Sequence, residues 1–168
     1  MEFYVLRHAI AVPHGAEGYE RDSDRPLTER GAKKMRRIAR GFRAVGISPE
    51  VLLTSPFPRA LQTAEIVAKE LKLKKDLVLT KHLAVGGDPE RLIDEINAGY
   101  SGASAVMVCG HEPYLSQLIA VLLGGSAGID ITMKKGGVCK LTIGTLQYDR
   151  CATLEWLLTP RVLTRIGG

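Results

Sequence analysis

Short apolar runs alternate with longer stretches of helical period along the whole chain. Phe3 to Leu6 form a continuous apolar run that predicts a buried strand, and it leads directly into Arg7 and His8. From Thr28 to Val45, the apolar residues Met35, Ile38, Ala39, Phe42 and Val45 recur at helical spacing, with Thr28 as a candidate cap. Residues 50–54 (EVLLT) predict a second strand. The stretch PFPRALQTAEIVAKEL predicts a second helix, in which Pro56 and Pro58 are tolerated only around the first turn. A third strand is predicted at 77–80, a helix from Pro89 to Ala98, a fourth strand at 104–110 and a helix over 113–123. VCKLTIG and ATLEWLL alternate enough to form two last strands, paired as a hairpin. This order predicts a three-layer α/β/α sandwich around a mostly parallel sheet. No repeat, low-complexity tract or linker divides it, so residues 1–168 are expected to form a single domain.

Composition narrows the class. An apolar content of 45% and a mean hydropathy of +0.03 fit a soluble globular chain rather than a disordered one. Arg7 and His8 interrupt the first apolar stretch, so no signal peptide is expected, and the run Leu118 to Leu123 is too short for a membrane span. Cys109, Cys139 and Cys151 are odd in number and far apart, which predicts free thiols and a cytoplasmic setting. The formal charge is +5, and it is concentrated. Between Arg21 and Arg43 nine Lys/Arg face three Asp/Glu, so the first helix carries a basic face through Lys33, Arg36, Arg37, Arg40 and Arg43. That face is either a solvated surface or an attraction for an acidic partner. Few aromatics (5%) and no known nucleic-acid module argue against nucleic acid.

In parallel sheets ligands gather beyond the carboxyl ends of the strands. Three predicted strands end there in polar chemistry: Arg7-His8, then Thr54-Ser55-Pro56 with Arg59 one turn into the next helix, then Gly110-His111-Glu112. A single histidine in such a place is more often structural, but three polar ends at one edge form a constellation. Imidazole can attack phosphorus and later leave it. Guanidinium groups match the charge on the three equatorial oxygens of a transferring phosphoryl group. Two histidines and several arginines therefore suit phosphoryl transfer without a metal.

LRHA (6–9), SPFPRALQTAE (55–65) and GHEP (110–113), supported by DRPLTERG (24–31), GGDPERL (86–92) and LEWLLTP, resemble the histidine phosphatase (phosphoglycerate mutase-like) superfamily. The match is best with its SixA-type phosphohistidine phosphatase branch. The resemblance implies that His8 is the nucleophile, that Arg7, Arg25 and Arg59 bind the phosphoryl oxygens, and that His111 donates to them. Arg25 could instead pair with Asp22 or Asp24 within its loop. Ala9 replaces the glycine usual after the histidine, which requires a negative φ or some strain. Candidates for the proton donor are Glu112, then Asp88, then His82; Glu112 could equally cap the helix that follows it. A weak or missing acid suits phosphohistidine, whose imidazole leaves more readily than an alkoxide. The chain lacks the large insertions that cover small substrates in longer superfamily members, which predicts an open site. The implied partner is a phosphorylated protein, and the protein is expected to be a monomer. His14 is expected to face solvent.

Several other chemistries fit less well. No cysteine has an arginine six positions on, so a cysteine phosphatase is excluded. DSDRP lies in a polar loop, and no nucleotide-binding GxxxxGK[ST] occurs. GGSAG (124–128) follows a helical stretch, whereas a nucleophile elbow follows a strand. Four histidines without paired ligand spacing argue against a catalytic metal, and no cofactor is expected. A phosphatase of small phosphoesters (sugar phosphate, nucleotide or polyphosphate) and a non-catalytic phosphate-binding module remain as alternatives.

Overall fold

The computed structural model describes residues 1–73 and 77–168. Its strands are β1 (Glu2–Arg7), β2 (Val51–Thr54), β3 (Val78–Leu79), β4 (Ala105–Gly110), β5 (Val138–Ile143) and β6 (Ala152–Leu158). They form one sheet in the order β3-β2-β4-β1-β5-β6, in which β5 is antiparallel to both of its neighbours. The helices are α1 (Glu29–Ala44), α2 (Pro58–Leu71), α3 (Pro89–Tyr100), α4 (Tyr114–Gly124) and α5 (Pro160–Ile166).

Alternation along β1 explains the three layers, because successive side chains point to opposite faces of a strand. Phe3 and Val5 pack with Leu92 and Ile96 of α3 and with Leu115, Ile119 and Leu122 of α4. Tyr4 and Leu6 pack with Met35, Ile38 and Phe42 of α1, Ala60 and Ala64 of α2, and Leu163 of α5. The expected sandwich and its mostly parallel sheet are therefore present.

Thr28 caps α1 by accepting from the Gly31 N–H at 2.9 Å, and Pro58 occupies the first turn of α2. The third strand is shorter than expected, with only Val78 and Leu79 paired to β2. The last helix, α5, is absent from the pattern-based expectation. After LEWLL the chain turns at Thr159, and Pro160 starts seven helical residues. So few residues show little period of their own, and their burial comes from α1.

Parallel register sets the working edge. Arg7 lies level with Gly110 and Thr54 with Cys109, so β1, β2 and β4 finish side by side. The chain continues from those ends through His8, Ser55 and His111, where His8 N–H donates to Gly110 O and Ser55 N–H donates to Cys109 O, both at 3.0 Å.

Close contact between α1 and α5 leads to a prediction. A Cβ on Gly41 would sit 2.4 Å from the Leu163 carbonyl oxygen, whereas one on Gly99 in α3 would meet nothing within 4 Å. Gly41→Ala is expected to lower stability by about 1–3 kcal/mol through overpacking. Gly99→Ala should raise it by roughly 0.5–1 kcal/mol through helix propensity. Urea unfolding of the two variants measures both.

Candidate active site

The end of β1 is held on both sides. Besides the bond from His8 to Gly110, Gly136 N–H reaches the carbonyls of Arg7 and His8, each at 3.1 Å, from the turn before β5. His8 is 5% exposed. Its Nδ1 lies 2.7 Å from Ala9 O. A carbonyl only accepts, so the ring hydrogen is on Nδ1 and the lone pair is on Nε2. Ala9 lies outside the left-handed region, since Lys72 is the one non-glycine residue with positive φ among the described residues. The departure from glycine therefore carries no backbone strain. The Ala9 N–H donates to Thr63 Oγ1 at 3.0 Å, and the same hydroxyl donates to Arg59 O at 2.6 Å.

His111, at the end of β4, is 2% exposed and packs against His8 with ring centroids 5.1 Å apart. Its Nε2 is 2.8 Å from Ser55 Oγ, which also accepts from Phe57 N–H at 3.2 Å. This pairing uses Nε2 and leaves Nδ1 as the ring nitrogen of His111 without a protein partner. The ring of Phe57 lies 5.3 Å from His111, and the Arg59 guanidinium carbon lies 5.3 Å from the same ring.

Arg59 stands in the first turn of α2 with its side chain 3% exposed. Its Nη1 donates to Asp22 O at 2.5 Å and its Nη2 to Asp22 Oδ2 at 2.8 Å. Arg7 Nη1 donates to Met133 O at 2.6 Å. The buried side-chain nitrogens without a protein partner, among the described residues, are Arg7 Nε, Arg59 Nε and His111 Nδ1; the Tyr114 hydroxyl is the remaining buried orphan. Buried donors are normally paired, so three orphans on residues around one histidine mark a place for an acceptor-rich ligand.

The electrostatics point the same way. Burial lowers the His8 pKa to about 3; the Ala9 carbonyl opposes this, and Arg59, Arg7 and Lys135 reinforce it. Burial likewise takes His111 to about 3, reinforced by His8 and Arg59. Burial lowers the Arg7 pKa, and the charge of Glu112 works against it. Both imidazoles are therefore neutral near pH 7, in a field of cations that an anion would relieve.

The structure thus brings together Arg7, His8, Arg59 and His111. Arg25 stands beside them, its charge acting on both His111 and Arg59, with Nε and Nη2 on Asp22 Oδ1 at 3.0 and 2.5 Å and Nη1 on Val12 O at 2.5 Å. This is the loop pairing weighed against phosphate contact. Glu112 Oε1 accepts from Ser116 N–H at 3.1 Å, at the start of α4. Asp88 is exposed and caps α3 through Glu90 and Arg91 N–H. His82 lies in the short turn Lys81–Leu83, and His14 is exposed. The segment between β1 and α1 is tied to Arg59 through Asp22.

Asp22, Ser55, Thr63 and Lys135 were not singled out as site residues from the sequence. Asp22 had a signal in its spacing to Arg25, whereas Lys135 had none beyond its charge. Cys109 and Cys139 are buried, which raises both thiol pKa values to about 12 and leaves them inert. No group of three potential metal ligands occurs among the described residues.

The chain is similar to several known proteins. Residues 3–84 match the family model described as histidine phosphatase superfamily (branch 1). That span includes Arg7, His8, Arg25 and Arg59 and ends before His111. An uncharacterized protein of a Picosynechococcus species is 32% identical, over 89% of this chain and 89% of its own length. The phosphohistidine phosphatase SixA of Escherichia coli is 29% identical, over 95% of this chain and 94% of the relative. A structure of the protein histidine phosphatase SixA complexed with tungstate superposes with a TM-score of 0.83 at 27% identity, covering 97% of this chain and 99% of that one.

The depressed histidines set a pH dependence of stability. A folded-state pKa of about 3, against 6.5 for a free ring, means that the unfolded chain binds more protons between those values. Stability is then at its plateau above pH 6.5 and falls as the pH drops toward 3, by at most about 1.4 kcal/mol per pH unit for each ring. Urea midpoints measured from pH 7.5 to 4 should show this slope, and His8→Asn with His111→Asn should flatten it.

Proposed function

The chain belongs to branch 1 of the histidine phosphatase superfamily, and from that we propose that it hydrolyses phosphate through a phosphorylated His8, acting on phosphohistidine in proteins. The observation that carries this reading is the set of buried, unpaired nitrogens Arg7 Nε, Arg59 Nε and His111 Nδ1 around a neutral histidine, all three of them donors when Ser55 donates to His111 Nε2. Three donors correspond to the three equatorial oxygens of a transferring phosphoryl group.

The chemistry follows from the site. His8 Nε2, its lone pair free because Nδ1 is bonded to Ala9 O, attacks phosphorus in line with the leaving nitrogen. The P–N bond to the substrate imidazole breaks as the bond to His8 forms. Arg7 and Arg59 stabilise the charge on the oxygens, and His111 Nδ1 donates a hydrogen bond. Water then attacks the phosphorus of phospho-His8, inorganic phosphate departs, and the electron pair returns to Nε2. Arriving phosphate charge also favours the protonated form of His111, and an imidazolium N–H donates more strongly than a neutral one.

Glu112, as a carboxylic acid, is the group we assign to protonate the leaving nitrogen, and the carboxylate so formed takes back a proton from the water that attacks phospho-His8. It is close enough to Arg7 to influence its titration, and Asp88 is committed to capping α3. Its other duty, at Ser116 N–H, limits its reach. A constrained acid suits a leaving imidazole better than a leaving alkoxide. The phosphohistidine phosphatase named among the relatives supports the same substrate class. The basic face of α1, where Lys33, Arg36, Arg37, Arg40 and Arg43 are all exposed, supports an acidic protein partner.

Two experiments test this. With a phosphohistidine peptide in EDTA, the wild-type protein should turn over, and His8→Ala should lose about 10⁴-fold in kcat. An acid-labile, alkali-stable phosphoenzyme should form in the wild type; a phosphoenzyme that persists in His8→Ala would refute the assignment of the nucleophile. Glu112→Gln should slow hydrolysis of an alkyl phosphate by roughly 10²-fold or more and of a phosphohistidine peptide by less than about tenfold. Equal losses on both substrates would remove Glu112 as the acid.

A further inference from the structure

Arg59 can donate in two directions. Its end-on pair is Nη1 with Nη2, and its side-on pair is Nε with the second hydrogen of Nη2. Asp22 takes the end-on pair completely, through its backbone oxygen at 2.5 Å and Oδ2 at 2.8 Å. What remains is the side-on pair, whose Nε is buried and without a protein partner. Asp22 itself is held from the other side. Its Oδ1 accepts from Arg25 Nε and Nη2 at 3.0 and 2.5 Å, and Arg25 Nη1 is fixed on Val12 O at 2.5 Å. Burial raises the Asp22 pKa, but the hydrogen bonds from Arg25 and Arg59 outweigh this and keep the carboxylate ionised.

We propose that Asp22 is a positioning residue for phosphoryl transfer: it holds Arg59 by the end-on pair so that the side-on pair faces the phosphoryl oxygens, with Arg25 as its brace. The proposal rests on the phosphatase reading for its substrate, but its geometry stands on the chain alone. It assigns a role to Asp22 and moves Arg25 from touching phosphate to acting through Asp22. Arg59 follows Pro58 in the first turn of α2, where long side chains lean back toward the helix N-terminus and the strand ends. An unanchored arginine there would share its time among rotamers, and a clamp must be in place before charge develops. Asp22 removes that freedom. It also cancels one of the two charges of Arg59 and Arg25, which tempers the repulsion between them.

A positioning carboxylate and a competing one predict opposite kinetics. If Asp22 only competed with phosphate for Arg59, Asp22→Ala would tighten KM and raise kcat/KM. As a positioning residue, its loss should lower kcat for an aryl phosphate by roughly 10- to 100-fold, the scale of a displaced catalytic group. KM should stay within about threefold. Asp22→Asn, which keeps one acceptor, should recover part of the loss. In the Asp22→Ala background Arg25→Ala should cost nothing more; an additive loss would overturn the bracing role of Arg25.

A second readout needs no turnover. The Arg59 Nε–H resonance, identified by its disappearance in Arg59→Lys, should be distinct in the wild type and shift when inorganic phosphate is added. In Asp22→Ala it should collapse into the signals of free arginines, while the urea midpoint shows that the protein is folded. An Arg59 resonance unchanged by Asp22→Ala would overturn the proposal. Should the wild type hydrolyse no phosphate at all, the phosphatase reading would fail, and the Arg59 resonance would still decide on Asp22.

Discussion

The site depends on the parallel hydrogen-bonded register of β1, β4 and β2. Because Arg7 is level with Gly110 and Thr54 with Cys109, the three chain continuations leave the sheet at one height. His8, Ser55 and His111 are neighbours for that reason alone, although 47 and 56 positions of sequence separate one from the next. A slip of one residue in either pairing would send the corresponding side chain to the opposite face. Almost every residue in these strands is buried, which makes such a slip expensive and the geometry of the edge dependable.

Burial then determines the chemistry at that edge. A solvated imidazole would be partly protonated near neutral pH and would lose its nucleophilic lone pair. Here desolvation and the surrounding cations keep both rings neutral, with the hydrogen of His8 fixed by a backbone carbonyl. The same cations supply attraction for an incoming dianion. One arrangement thus leaves the His8 ring with a free lone pair and creates attraction for an anion beside it.

Much of this was legible in the sequence. The run FYVLR followed by histidine, the proline-initiated helix carrying Arg59 and the strand ending in Gly110-His111 could each be placed from period and punctuation. Thr28 was readable as a cap because capping chemistry is local. What stayed hidden was settled over long distances. Asp22 and Arg59 are thirty-seven residues apart and meet only when the loop lies across α2. The choice of Arg25 between phosphate and Asp22 depends on where that loop settles. Lys135 approaches the site through a turn bonded to β1, and helix α5 is too short to declare itself without α1.

Thr63 ties two of these parts together. Its hydroxyl accepts from the backbone that follows the nucleophile and donates to the carbonyl of Arg59 one turn earlier in the same helix. The segment that carries His8 and the turn that carries Arg59 are therefore joined through one hydroxyl. Displacing α2 from the sheet would have to stretch this link, so one side chain registers the first turns of the helix against the end of β1.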